Sequence, residues 1–256
     1  MSIVLKGVTA GYGRERAIVK DIDLEIRTGE VTVLIGPNGC GKSTLLKTIG
    51  RLLKPRQGTI EVDDLDVLRT DPKRVARTVA YLPQSPIVPT AITVEQLVGY
   101  GRAPHQSLLG LRSARDVELV EQAIATTHLD DLRFKPVAEL SGGQRQRAFI
   151  AMALAQDTPY VMLDEPTTFL DIKHQVETLD LVRRLHDAGR TSVLVLHDIA
   201  QAARYGDRLV AMHDGRVIAQ GKPNDVITAD LIHEVYGLSC TIGRDPVAGT
   251  PVIFPN

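Results

Sequence analysis

A glycine-rich segment between two apolar stretches carries the most recognisable chemistry in this sequence. It reads Gly36-Pro37-Asn38-Gly39-Cys40-Gly41-Lys42-Ser43-Thr44. Residues 31–35 predict a buried strand before it, and residues 45–49 predict a helix after it. This order defines a phosphate-binding loop, because its glycines let several backbone N–H groups converge on one anion at the positive end of a helix. We expect Lys42 to contact the β- and γ-phosphates of a nucleoside triphosphate and Ser43 to bind the accompanying Mg²⁺.

Polar side chains also follow three other apolar runs that predict buried strands. Those runs are residues 79–82, 160–163 and 192–196. Open α/β sheets bind ligands at the carboxyl ends of their strands, where Asp164 would orient Mg²⁺ through a water and Glu165 would polarise the attacking water. We expect His197 to contact the γ-phosphate and Gln84 to contact Mg²⁺ and the attacking water. A structural interpretation stays open, because an acidic pair can cap a helix and a strand-end His is often structural.

A second candidate anion site lies at Leu140-Ser141-Gly142-Gly143-Gln144, immediately before a helical stretch that ends near residue 156. It lies about 100 residues after the first loop. One nucleotide cannot easily contact both loops of the same chain. A head-to-tail pair of chains solves this problem, because each copy can then close the other's nucleotide site, giving two composite sites.

The elements that position these residues predict an α/β fold of the P-loop NTPase class. Short alternating strands near the N-terminus indicate an antiparallel β subdomain, and helical spacing after residue 93 indicates an inserted α-helical subdomain. The expected division is residues 1–84 and 158–225 for the catalytic core, 85–157 for the helical subdomain and 226–256 for a C-terminal extension.

The apolar spacing also predicts which helix faces are buried. The expected inward residues are Val94, Leu97 and Val98, then Val117, Val120 and Ile124, then Ile172, Val176, Leu179 and Leu185. Residues 209–212 and 217–219 flank Asp214-Gly215, which predicts a hairpin. After residue 225 we expect one helix, at residues 229–236, and then a tail rich in Pro and Gly.

Composition gives no overall argument for several classes of protein, although local charged patches stay possible. The 256 residues carry a formal net charge of -1, which gives no argument for nucleic acid or for an acidic membrane surface. Two cysteines, Cys40 and Cys240, suggest neither a disulfide framework nor a zinc site, and they favour a reducing cytoplasm. We see no signal peptide and no apolar run of the roughly 20 residues that a spanning helix needs. We therefore expect any attachment to a membrane to be peripheral.

Taken together, these motifs resemble those of the ATP-binding cassette ATPases over nearly the full chain. The resemblance implies a RecA-like core that hydrolyses ATP with Mg²⁺ in a homodimer. It implies that Tyr12 stacks on adenine, that Gln84 belongs to the Q-loop, and that residues 140–144 form the signature loop, whose Ser141, Gly142, Gly143 and Gln144 contact nucleotide. Phe169-Leu170-Asp171 matches the D-loop, although a small residue is more usual before the Leu. Cys40 stands where Ser or Ala is usual and would be a spacer, with an alkylation-sensitive thiol as the alternative.

Residues 93–105 are similar to the corresponding segment of importers for ferric siderophores and cobalamin. Residues 167–171 and Val235-Tyr236-Gly237-Leu238 with Cys240 are also similar to ferric-siderophore cassettes. The resemblance implies two integral membrane permeases at the cytoplasmic face of the membrane and a substrate-binding protein outside it. The Pro-rich stretch after Gln84 (Pro83, Pro86, Pro89) would form part of the surface that receives the permease.

Other functions stay open at this point. Cobalamin or haem import is the nearest alternative to siderophore import. A non-transport cassette of DNA repair or of the ribosome usually has a coiled-coil insertion or a second cassette, and we find neither here. A P-loop kinase or GTPase is disfavoured by the signature loop and by the missing Asn-Lys-x-Asp sequence.

Overall fold

Strands and helices alternate through most of the computed structural model, which describes residues 2–13, 17–86, 91–106 and 112–256. The strands are β1 (Ser2–Ala10), β2 (Val19–Arg27), β3 (Val31–Ile35), β4 (Gln57–Val62), β5 (Leu65–Asp66), β6 (Val79–Leu82), β7 (Tyr160–Asp164), β8 (Thr191–Val195), β9 (Arg208–His213), β10 (Arg216–Gly221), β11 (Cys240–Arg244) and β12 (Pro251–Pro255). The α-helices are α1 (Lys42–Ile49), α2 (Pro72–Ala76), α3 (Val94–Tyr100), α4 (Ala114–Thr126), α5 (Gly142–Ala155), α6 (Ile172–Asp187), α7 (Ile199–Tyr205), α8 (Pro223–Val226) and α9 (Ala229–Tyr236).

The central sheet has six strands in the order β10-β9-β3-β8-β7-β6. All neighbours are parallel except β10, which pairs antiparallel with β9 across the predicted hairpin. Strands β3, β7 and β8 are buried along their whole length, as their uninterrupted apolar sequences predict. Because these strands are parallel, the polar residues that follow them meet at one edge of the sheet.

A second sheet, in the order β2-β1-β4-β5, is antiparallel and covers one face of the central sheet. Helix α1 lies in the core between the two sheets, with Leu45, Leu46 and Ile49 buried against Leu34. The helical segment and α6 contribute to a separate core on the opposite face, together with Val33 and Ile35. The predicted α/β core and antiparallel sheet are confirmed.

Helices α3, α4 and α5 form the helical segment, and each begins with a capping box. The three boxes are Thr93/Gln96, Ser113/Asp116 and Ser141/Gln144. Helix α3 buries the three predicted residues, but α4 buries Leu119, Val120, Ala123 and Ile124. The prediction for Val117 is wrong, because its side chain is 46% exposed on the outer flank of α4.

Two further predictions need correction. Ile172 and Val176 are exposed. The buried face of α6 includes Thr178, Leu181, Val182 and Leu185. One turn earlier the same face falls at position 174, so residues 172 and 176 point away from the core. After α9 (Ala229–Tyr236), which is confirmed, the tail forms an antiparallel hairpin of β11 and β12.

A buried ion pair connects α4 to the end of α3. Nε of Arg102 lies 2.7 Å from Oδ1 of Asp116, and each residue is only 4% exposed. Burial raises the pKa of the Asp116 carboxyl, but hydrogen bonds from Ser113 and Arg102 outweigh it and lower that pKa to about 2. The charged form is therefore the one that stabilises the fold.

This pair makes the fold sensitive to acid. Because the pKa of Asp116 is lower in the folded than in the unfolded chain, its stabilisation is complete above pH 3.8 and is lost as the pH falls toward about 2. We expect Asp116→Asn to lower the melting temperature at pH 7 by several degrees. We also expect the further fall in melting temperature between pH 4 and pH 2 to be smaller in this variant than in the parent. Thermal unfolding of the parent and the variant from pH 7 to pH 2 measures both effects. Equal acid-induced losses would contradict the assignment.

Candidate functional site

The carboxylate of Asp164, at the end of β7, joins three elements at the edge of the central sheet. Its Oδ1 accepts a hydrogen bond of 2.8 Å from Ser43 Oγ on α1, and its Oδ2 accepts one of 3.0 Å from Tyr81 on β6. Burial raises the pKa of this carboxyl above its ordinary value, although the two hydrogen bonds oppose that shift. Burial and the neighbouring Asp164 also raise the pKa of the Tyr81 phenol. The phenol therefore stays protonated at neutral pH and can donate to the carboxylate.

The phosphate-binding loop wraps around the ammonium group of Lys42. Its Nζ donates to the carbonyl oxygens of Gly36 at 2.7 Å and Pro37 at 3.0 Å. Gly36 has a φ of +144°, and a Cβ there would lie 2.1 Å from the carbonyl oxygen of Met212, so only glycine fits. Behind the loop, Gly215 of the β9–β10 turn donates a backbone hydrogen bond of 3.0 Å to Cys40. The loop is thus held from within by Lys42 and from behind by the hairpin.

Helix α1 begins directly after this loop, with no side chain capping its N-terminus. Its N-cap is Gly41, at a φ of +108°, and no side-chain hydrogen bond is made there. The first backbone N–H groups of a helix have no partners within the helix. This helix end can therefore hold an anion. A cavity of about 170 Å³ opens beside it; its lining residues include Asn38, Gly39, Ser43, Thr44 and Glu165.

Glu165 lies between two of the predicted catalytic residues. Its Oε1 is 2.7 Å from Nε2 of His197, and its Oε2 accepts a hydrogen bond of 2.5 Å from the Gln84 amide. Thr168, which the sequence analysis did not single out, also donates to Oε2, at 3.1 Å. Glu165 has a φ of +53°, a conformation that costs energy for a residue other than glycine. These neighbours therefore hold the carboxylate of a residue with a strained backbone at the edge of the nucleotide cavity.

Tyr12 lies beyond β1 and is exposed beside α1. Lys47 of α1 donates a hydrogen bond of 3.3 Å to its hydroxyl, and the Lys47 ammonium lies 5.8 Å from the ring centroid. An exposed ring fixed in this way can stack on a flat aromatic ligand. The stacking of Tyr12 on adenine stays a prediction.

The signature loop makes its contacts with α6 and the D-loop. At Gly143 a Cβ would lie 1.6 Å from Cδ2 of His174, and at Gly142 the nearest atom, 4.0 Å away, belongs to Leu170. None of the residues lining the cavity at α1 comes from the signature loop. Phe169, next to Leu170, is 93% exposed at a φ of +62°. The two predicted anion sites of this chain therefore line separate surfaces.

The residues at the sheet edge fit a nucleotide with Mg²⁺. Ser43 and Asp164 place a hydroxyl and a carboxylate oxygen 2.8 Å apart, and oxygen is the ligand that Mg²⁺ prefers. The part of the chain that the structure describes has no group of three or more His, Cys, Asp or Glu residues arranged to hold a metal. Mg²⁺ characteristically binds one or two protein oxygens together with phosphates and waters, so this sparse set is sufficient. The Gln84 amide contacts Glu165 in this structure, and its metal role stays a prediction.

Comparisons with known proteins identify the class. A family model for the ABC transporter matches residues 19–168. The chain is 46% identical over 256 residues to the probable siderophore transport system ATP-binding protein YusV of Bacillus subtilis, covering 100% of this chain and 93% of that protein. It is also 46% identical over 249 residues to the ferric enterobactin transport ATP-binding protein FepC of Escherichia coli, covering 97% and 92%.

Among solved structures, a dimeric post-hydrolysis form of the ATP-binding cassette MJ0796 with ADP and phosphate is similar. Its TM-score is 0.75 at 30% identity, covering 86% of this chain and 98% of that one. The class is thus a P-loop ATPase with a signature loop. This chain belongs to the ABC transporter family, as one of its ATP-binding proteins, and the predicted family is confirmed. None of the helices in the described ranges has the length and apolar character needed to cross a bilayer.

The environment of Cys40 argues against the reactive-thiol alternative. Cys40 is 4% exposed, and burial raises the pKa of its thiol although nearby Lys42 opposes that shift. Less thiolate is then present at any given pH, and thiolate is the reactive form.

Cys40 should therefore resist alkylation in the folded protein. In a Cys240→Ser background, which leaves Cys40 as the single thiol, we expect iodoacetamide at pH 8 to modify native protein at least about tenfold more slowly than unfolded protein. Mass spectrometry over time measures both rates. Equal rates in native and unfolded protein would restore the reactive-thiol interpretation.

Proposed function

We propose that this chain hydrolyses ATP at a composite site, closed by a second copy, to drive import of ferric siderophores. The observation that carries the hydrolytic part is the position of Glu165. Its carboxylate is held by His197 and Gln84 at the cavity that Lys42 and Ser43 also line. ABC family membership makes ATP the nucleotide.

Each residue at the sheet edge has a defined task in this proposal. Lys42 and the N–H groups of residues 36–44 bind the phosphates, and Ser43 and Asp164 hold Mg²⁺. When bound, this ion neutralises charge on the phosphate oxygens. Glu165 orients and polarises the attacking water as general base. His197 fixes the Glu165 carboxylate and contacts the γ-phosphate, while the Gln84 amide contacts that carboxylate and the attacking water.

The signature loop acts on the nucleotide of the other copy. It lies apart from the cavity at α1 and packs on α6, so it supports a head-to-tail homodimer with two composite sites. Ser141 and the N-terminal N–H groups of α5 would contact the γ-phosphate held by the partner. The dimeric form of MJ0796 supports the pairing of two cassettes.

The cargo and the partners rest on the relatives. YusV and FepC are ATP-binding proteins for siderophore and ferric enterobactin transport. We infer two integral membrane permeases at the cytoplasmic face of the membrane and a substrate-binding protein on the other side, with no nucleic acid partner. Within the Pro-rich stretch after Gln84, residues 87–90 lie outside the described residues. The permease surface predicted there remains a prediction.

The role of Glu165 can be tested by removing its charge. We expect Glu165→Gln to keep ATP binding but to lower turnover by at least about 100-fold, because an amide cannot accept the proton of the attacking water. Glu61→Gln, on the exposed face of the antiparallel sheet, is the matched control and should behave as the parent. Equilibrium ATP binding and phosphate release are measured for all three. Parental turnover in Glu165→Gln would refute the assignment.

Composite sites predict complementation between two inactive variants. Lys42→Ala no longer binds the phosphates but keeps an intact signature loop. Ser141→Arg keeps an intact phosphate loop but has lost its signature loop. We expect each to be inactive alone, whereas their mixed dimer has one working site of two. Steady-state ATP turnover of the mixture, after purification through two different tags, measures this. A mixed dimer as inactive as its parents would argue against shared sites.

The cargo requires a cellular test. We expect cells lacking this protein to lose uptake of labelled ferric siderophores and to keep uptake of cobalamin and haem. Plasmid-borne wild type should restore uptake, and Lys42→Ala should not. Loss of cobalamin uptake with normal siderophore uptake would favour the cobalamin alternative.

A further inference from the structure

The segment of residues 99–105 has no task in the function proposed above, although it belongs to the stretch that is similar to importers for ferric siderophores and cobalamin. It connects the end of α3 to the short turn of Ala103–His105. Gly101 allows α3 to touch α5, because a Cβ there would lie 2.0 Å from the carbonyl oxygen of Met152. The residue after it, Arg102, is almost completely buried. A charged side chain is buried in this way only where it is paired and hydrogen-bonded.

The guanidinium of Arg102 caps the C-terminal end of α5. Its Nη1 donates to the carbonyl oxygens of Ala155 at 2.8 Å and Gln156 at 3.2 Å. The last carbonyl groups of a helix lack partners within the helix and carry the negative end of its dipole, so a cation there is stabilising. Arg102 thus binds the end of the same helix that begins at the signature loop.

The other side of the guanidinium holds the start of α4. Nε of Arg102 donates to Oδ1 of Asp116, while Oδ2 of Asp116 accepts from the backbone N–H and the hydroxyl of Ser113, each at 2.8 Å. One side chain therefore joins the end of α3, the start of α4 and the end of α5. Its planar fork suits this role, because it offers several donors in fixed directions.

The same point of α5 is also tied to the catalytic core. The Gln156 side chain donates to the carbonyl oxygens of Ala76, at the end of α2, and Val79, at the start of β6. His105 lies 2.8 Å from the Gln156 carbonyl oxygen, and Arg77 donates to Pro104 at 2.9 Å. The end of α5 is therefore the joint at which the helical segment meets the strand that leads to Gln84.

From this joint, α5 reaches the signature loop as a rigid rod. Its residues Gly142–Ala155 span about 21 Å at 1.5 Å per residue. A small tilt at the Arg102 end would displace Ser141 at the far end, and a 1 Å error in a reacting group can cost about 100-fold in rate. We propose that Arg102 is a positioning residue that fixes α5 and thereby directs the signature loop onto the ATP of the partner copy. The inference rests on the composite site proposed above.

The mixed dimer of Lys42→Ala and Ser141→Arg allows a test that separates positioning from general stability. Its working site uses the signature loop of the Lys42→Ala copy. We expect Arg102→Gln on that copy to lower turnover at least about fivefold. On the Ser141→Arg copy, whose signature loop is already inactive, the same change should leave turnover within about twofold.

Two further variants distinguish a positioning effect from a general loss of folding stability. Arg102→Lys keeps the charge opposite Asp116 but lacks the fork that reaches the carbonyls of α5, so it should show the same asymmetry with a smaller loss of stability. Arg133→Gln removes the pair between Arg133 and Glu95 in the same helical segment, away from the end of α5. On either copy it should leave turnover unchanged. Thermal unfolding of each variant is measured alongside.

The outcomes distinguish this inference from the function on which it rests. Asymmetric loss with Arg102→Gln or Arg102→Lys supports positioning through α5. Equal loss on both copies, or loss on neither, overturns the inference while the composite site stands. No turnover in the mixed dimer before any change at Arg102 refutes the composite site itself, and the inference with it.

Discussion

The hydrogen bond between Ser43 and Asp164 is the interaction on which the nucleotide site depends. It fastens the first turn of α1 to the carboxyl end of β7, and the Tyr81 hydroxyl joins β6 to the same carboxylate. Because the carboxylate is buried, its charge is expensive without such partners. Hydrogen-bond donors of the protein and a bound cation would offset the free-energy cost of this negative charge. The phosphate loop, the proposed metal ligands and the proposed general base therefore lie at one edge of one sheet.

The two helices that begin at the predicted anion sites differ at their N-termini. Helix α1 starts at a bare Gly41, so its first N–H groups are available to phosphate. Helix α5 starts at Ser141, whose side chain already accepts a hydrogen bond from the Gln144 N–H. One of the first N–H groups of α5 is thus already bonded within the chain. The α1 terminus therefore offers more unbonded N–H groups to an anion than the capped α5 terminus does.

Sequence predicted the parts of this molecule whose pattern is local. Phosphate-loop chemistry depends on consecutive residues, and the buried strands around it depend on apolar runs, so both could be predicted. The buried face of α6 could not be predicted, because Ile172 and Val176 fit an apolar helical pattern but are exposed in the fold. His174 lies instead against Gly143. The C-terminal hairpin was missed because glycine and proline obscure the short alternation of β11 and β12. Tyr81 and Thr168 were missed because their roles appear only when separate strand ends meet, and Cys40 shows its burial only in the folded chain.

In the proposed function a second copy completes each ATP site, and a distance measured between copies tests this most directly. A donor dye at Glu139→Cys, beside the signature loop, and an acceptor at Lys20→Cys, near the phosphate loop, would be placed on separate copies of a Glu165→Gln protein whose native cysteines are replaced. Energy transfer between copies should be weak without nucleotide and should rise strongly with ATP and Mg²⁺. Saturating ATP binding without any transfer between copies would show that one chain encloses its nucleotide alone, and would contradict the account.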